Sequence, residues 1–160
     1  GMMRLLVEAG ADANRQEQDG STALMFAAEH GGEHGAAMMR LLLDAGADVN
    51  KQNKDGLTAL MITTLMWTLY GDEHAAGMMY VLAYAGADLN KKNNYGKTAI
   101  DLSSNDEINE YLQRIYAEIR RTTFARNVLM SGHGPGPAET CDWKAYIPYD
   151  LWREIFAFAV

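Results

Sequence analysis

Gly46-Ala47-Asp48-Val49-Asn50 is followed, five residues after the asparagine, by Asp55-Gly56-Leu57-Thr58-Ala59-Leu60. The same two-part string stands at Gly10 to Asn14 with Asp19 to Leu24, and at Gly86 to Asn90 with Tyr95 to Ile100. The helix-like run before it also recurs: Met2-Met3-Arg4-Leu5-Leu6 matches Met38-Met39-Arg40-Leu41-Leu42. Two separated motifs repeated in fixed register are the mark of a repeat architecture. In such a chain one unit cannot bury its apolar face alone, and its neighbours complete the core.

Each position has a physical reading. Gly10, Gly46 and Gly86 follow apolar helices and suit the positive φ of a helix C-terminal cap. Gly20, Gly56 and Gly96 close a tight turn. Thr22, Thr58 and Thr98 stand where a hydroxyl can cap the next helix, whose Ala-Leu or Ala-Ile then faces the stack. A unit therefore reads as finger, inner helix, outer helix.

This pattern resembles the ankyrin repeat over about residues 2–112. The resemblance implies an all-α solenoid of helical hairpins with short β-hairpin fingers. It also implies a non-catalytic module that binds another protein on its concave side. The family's Thr-Pro-Leu-His is replaced by Thr-Ala-Leu-Met twice and Thr-Ala-Ile-Asp once. The hydrogen bonds of the missing histidine must be absent or replaced. The repeat spacing is 36 residues from Gly10 to Gly46 and 40 from Gly46 to Gly86, against about 33 in the family. The extra residues fall between inner and outer helices, three near Glu29 to Ala36 and seven near Leu65 to Ala76. Seven residues are close to two helical turns, enough to lengthen both helices of that hairpin by one turn each. Met2 to Ala9 reads as an outer helix without an inner one, which suggests further repeats upstream or a trimmed chain. Gly1 has the form of a scar from tag removal.

Carried over by position, the partner-binding residues are Gln16, Gln18, Asp19, Ser21, Glu29 and His30 in the first finger and helix. In the next they are Gln52, Lys54, Asp55, Leu57, Leu65 and Met66, and in the last Lys92, Asn94, Tyr95 and Lys97. Asn14, Asn50 and Asn90 each lie eight residues after a leucine and two after an aspartate. That spacing is similar to the pattern on which ankyrin asparagines are hydroxylated in an animal cytosol.

Beyond the repeats, Asn105 can cap a helix carrying Ile108, Leu112, Ile115 and Ile119 at helical spacing. Its phase slips near residues 120–123, and Phe124 and Val128 suggest a second short helix. Residues 113–160 read as a helical extension or cap, interrupted by the glycine- and proline-rich linker at 131–137. Ile147-Pro148-x-Asp150-Leu151-x-x-Glu154-Ile155-Phe156 is similar to the opening helix of an F-box, over 147–158. That resemblance implies a ubiquitin-ligase substrate adaptor, docking on a Skp-type component through Leu151, Ile155 and Phe158, and a host-directed effector acting in host cytosol. The alternative is a plain cap on the end of the stack.

Composition excludes other classes. With 48% hydrophobic residues the chain folds. Its net charge of −7 argues against a nucleic-acid partner. No apolar run approaches the roughly 20 residues of a membrane span, and Cys141 is the single cysteine; together these suit a cytoplasmic protein. Chemistry is sparse. His30 and His34 share i, i+4 spacing but lie among Gly31, Gly32 and Gly35, which favours a solvated loop over a metal site. Cys141 has no basic neighbour to activate it. No cofactor and no catalytic residue is expected. Arg114, Arg120, Arg121 and Arg126 form a basic helix face. Trp67, Leu69 and Tyr70 are either lengthened core or exposed anchors.

Overall fold

The computed structural model describes residues 10–71 and 74–131, with side chains to Thr122. Among them are six α-helices: α1 (Ala23–His30), α2 (Gly35–Asp44), α3 (Ala59–Tyr70), α4 (Ala75–Tyr84), α5 (Ala99–Leu102) and α6 (Asp106–Ser131). The chain divides into two compact units, Gly1–Ile115 and Tyr116–Val160. The first holds the repeats. Inner helix α1 packs on α2 and on α3, α3 packs on α4 and α5, and α2 packs on α4.

The helices begin where the threonines place them. Thr22, Thr58 and Thr98 are extended, and each Oγ1 accepts from the backbone N–H three residues on, at 3.3–3.4 Å. Thr98 completes a capping box with Asp101, whose Oδ2 accepts from the Thr98 N–H at 2.9 Å and from its hydroxyl at 2.7 Å. The outer helices end in paired bonds. The Gly46 N–H donates to Leu43 O and the Ala47 N–H to Leu42 O, both at 2.9 Å. Gly86 and Ala87 repeat the arrangement on Ala83 and Leu82 at 3.0 Å. With φ of 86° and 88°, these glycines form Schellman caps.

The core is a column of Leu24, Met25, Met39, Leu60, Met61, Met78, Met79, Leu82, Ile108 and Leu112, all essentially fully buried. Five are methionines, whose flexible thioethers fill irregular space between unequal hairpins. Thr63 and Thr64 are buried as well. Their hydroxyls donate to Ala59 O and Leu60 O at 3.0 and 2.9 Å, so neither hydroxyl is stranded.

The two insertions take different forms. The three-residue insertion is a solvent-exposed 3-10 turn, Gly32–His34. Gly31 and Gly35 are there for close approach: a Cβ on Gly31 would strike Ala27 O and the Gly35 Cα, and one on Gly35 would strike Met78 Sδ. The seven-residue insertion lengthens the inner helix only. α3 has 12 residues against 8 in α1, while outer helices α2 and α4 both have 10. The expected second helix after residue 123 is also absent, because α6 runs unbroken for 26 residues. A slip in apolar phase need not end a helix, and no proline or glycine interrupts residues 106–131. Within the second unit, the described part is the remainder of α6, with Arg120 and Arg121 exposed.

The fingers contain no strand among the described residues; one isolated antiparallel bridge joins Gln16 and Thr22. Each finger is held instead by a turn, Glu17 N–H to Ser21 O at 2.9 Å, Asn53 N–H to Leu57 O at 3.1 Å and Asn93 N–H to Lys97 O at 2.9 Å. Successive fingers are joined by side-chain amides. Asn14 Nδ2 donates to Gly46 O at 2.8 Å and its Oδ1 accepts from the Asp48 N–H at 2.7 Å. Asn50 does the same with Gly86 O at 3.1 Å and Asp88 N–H at 2.7 Å. Removing one such amide deletes two inter-finger bonds of modest net worth. Asn50→Ala should therefore lower unfolding free energy by about 1–2 kcal/mol in urea titration, whereas Asn90→Ala should leave it nearly unchanged.

Candidate protein-binding face

The finger tips place most of the expected residues in solvent. Gln16, Gln18, Asp19, Lys54, Asp55, Lys92, Asn94, Tyr95 and Lys97 are exposed, and Gln52 and Leu57 half-buried. Exposure does not make them equally free. Gln16 Nε2 donates to Gly20 O at 2.6 Å and across to Gln52 O at 3.1 Å. Gln52 Nε2 donates to Gly56 O at 2.5 Å and to Lys92 O at 2.9 Å. These two glutamines tie the stack together. Asn94 Nδ2 likewise donates to Lys54 O at 2.7 Å. Gly56, at φ 75°, must be glycine twice over, since a Cβ would also lie 2.7 Å from the Asn94 N.

Ser21 departs from expectation. It is buried, and its hydroxyl donates to Asp19 Oδ2 at 2.7 Å, so it shapes the turn and does not meet solvent. The Ser21 N–H and hydroxyl hold the Asp19 carboxyl below its ordinary 3.8, and those of Thr98 do the same for Asp101. Tyr95 stands apart at 79% exposure. Among the described residues only its backbone is engaged, its N–H donating to Asn93 Oδ1 at 3.0 Å.

On the inner helices, Glu29 and His30 are exposed, and Leu65 and Met66 half-buried. Glu29, His30, Met66 and Tyr70 line one recess of about 370 Å³. Phe26, 44% exposed, stacks on His30 with ring centres 6.4 Å apart. The inserted aromatics split two ways. Trp67 is half-buried and meets Tyr111 of α6 edge-on at 5.4 Å. The Tyr111 hydroxyl donates to Ala76 O at 3.0 Å, and the Arg114 guanidinium lies over its ring at 5.7 Å. Leu69 and Tyr70 are 64% and 74% exposed. Trp67 is thus partly covered by α6, while Leu69 and Tyr70 face solvent.

Two features were missed from sequence. One is Phe26, whose i, i+4 relation to His30 signals a shared exposed face. Tyr80 and Tyr84, also at i, i+4, stack at 6.2 Å on the exposed side of outer helix α4. Asn14 and Asn50 spend their side-chain amides on the finger ties, while Asn90 is exposed. No cluster of three or more metal-ligating side chains occurs among the described residues, and none of their helices is long and apolar enough to cross a membrane. Cys141, Leu151, Ile155, Phe158 and the Arg126 side chain lie outside the described residues.

A family model for ankyrin repeats, in three copies, matches residues 1–64. Residues 1–64 are ankyrin repeats. The third finger, Gly86 to Ile100, lies beyond that match but carries the same Schellman cap, glycine turn and threonine cap. No curated protein matches the chain. Ankyrin repeats mark a protein–protein interaction module. The division of the inserted aromatics is open to test. Trp67→Ala should cost about 2–3 kcal/mol of stability by removing a half-buried ring. Tyr70→Ala should stay within about 0.5 kcal/mol; equal losses in thermal unfolding would contradict the assignment.

Proposed function

We propose that the fingers and inner helices α1 and α3 form the face on which this non-catalytic module holds another protein. The observation that carries the reading is Tyr95, a large aromatic side chain at an exposed finger tip with no intramolecular use of its ring among the described residues. Aromatic rings are favoured anchors at interfaces, and free tips seldom keep them otherwise. Exposed Leu69, Tyr70 and Phe26 extend the apolar surface along the helices. Leu57 and Met66, half-buried, complete it. With the cognate partner in hand, Tyr95→Ala should weaken binding about tenfold, the size of a modest hot spot, and leave the melting temperature unchanged. Unchanged affinity in a triple alanine variant of Leu57, Met66 and Tyr95 would count against this face.

A second reading is supported by sequence alone. The F-box-like pattern at 147–158 would make the chain a ubiquitin-ligase adaptor, with a cytoplasmic site of action in a host cell. There the repeats would hold a substrate while Leu151, Ile155 and Phe158 dock on a Skp-type protein. Co-precipitation of the chain with a Skp-type protein, abolished by Leu151→Ala with Ile155→Ala, is the expected result. Absence of co-precipitation ends this reading and leaves the interaction module intact.

A further inference from the structure

We propose that the recess between the C-terminal turns of α1 and α3 receives a lysine or arginine side chain of the bound protein, with an aliphatic residue beside it on that protein. The inference rests on the finger-and-helix face proposed above and specifies the chemistry of its partner.

The lining supplies each part of such a site. Its volume of about 370 Å³ is bounded by Glu29, His30, Met66 and Tyr70, without a lysine or arginine among them. The Glu29 side chain is 50% exposed. Its Oε2 lies 3.9 Å from His30 Nδ1, beyond hydrogen-bond reach, so this histidine does not use up the carboxylate's acceptor positions. Tyr70 offers an open ring, and a cation within about 6 Å of a tyrosine centroid is attracted to its face. Met66 gives an adaptable apolar wall, and Phe26 continues it beside His30.

A lysine or arginine has the matching two-part form, an aliphatic stem for Met66 and a charged head for Glu29 and Tyr70. The alternatives fit worse. A partner carboxylate would meet Glu29 as a like charge. A purely aliphatic side chain would take Glu29 out of water with nothing to pair it. The net charge of −7 favours approach of a basic segment over an acidic one. Adjacent aliphatic surface on the partner would cover exposed Leu69 or Phe26.

The test uses the full chain labelled at its methionine methyl groups, with the Met66 signal assigned through Met66→Leu. The probes are three capped dipeptides: N-acetyl-arginyl-leucinamide and its counterparts with citrulline or glutamate in place of arginine. The arginine peptide should move the Met66 methyl at millimolar concentration. The neutral citrulline peptide should bind about fivefold more weakly, as expected from losing an exposed ion pair and a cation–π contact. Glu29→Gln and Tyr70→Leu should each reduce that preference, and the double variant should remove it. A Met66 shift equal for arginine and glutamate peptides would overturn the proposal, and so would no shift at tens of millimolar. Neither result touches the wider face, which is judged by Tyr95→Ala on the cognate partner. A Tyr95-dependent partner with an inert recess would leave the face standing and remove this site.

Discussion

The side-chain amides of Asn14 and Asn50 set the distance and register between successive fingers, and the rest of the repeat unit is built to that spacing. Each accepts from a backbone N–H and donates to a backbone carbonyl of the next repeat. Gln16 and Gln52 add a parallel tie nearer the tip. With Lys54 N–H to Asp19 O and Asn94 N–H to Asp55 O, each finger is seated on its neighbour by both backbone and side chains. One finger cannot slide along another without breaking several bonds together.

A fixed finger end leaves the opposite end of the hairpin as the place where length can change. Both insertions occur there. The three-residue insertion stays compact because Gly31 and Gly35 let the turn close against α1 and Met78. The larger one extends α3 beyond its neighbour and needs something to cover the added turn. Trp67 finds Tyr111, and α6 is long enough to reach it. Leu69 and Tyr70, on the other side of that turn, have no such cover. The same event thus produced added core and added surface, and the recess beside Glu29 follows from α3 outrunning α1.

What could be read in advance was what local chemistry dictates. Threonine caps, Schellman glycines and repeat register depend on residues a few positions apart, and their signals are unambiguous. Burial at the fingers was harder, because Ser21 and Gln16 owe their roles to contacts that family position alone does not specify. Ser21 is consumed by Asp19, and Gln16 by a carbonyl 36 residues away. The continuity of α6 was misread for a related reason. Periodicity reports which face is apolar, and a helix free of proline and glycine can lose that phase without ending. The share of the seven extra residues taken by each helix was not readable either. It depends on whether α6 or α2 offers a surface to pack against, a tertiary fact.

The third finger shows how structural duty and recognition trade places along such a stack. In the first two fingers the position two residues after the asparagine is glutamine, committed to the next repeat. In the third it is Lys92, exposed. The tip aspartates Asp19 and Asp55 give way to Tyr95, and both of their carbonyls accept from a following finger. Past Tyr95 the described chain has no further finger. It turns through the four-residue α5, closed by the Thr98–Asp101 capping box, into α6. Released from holding a neighbour, these positions can carry residues that would spoil a tie. Tyr95 is followed by no finger among the described residues, so an aromatic anchor there displaces no inter-finger bond among them.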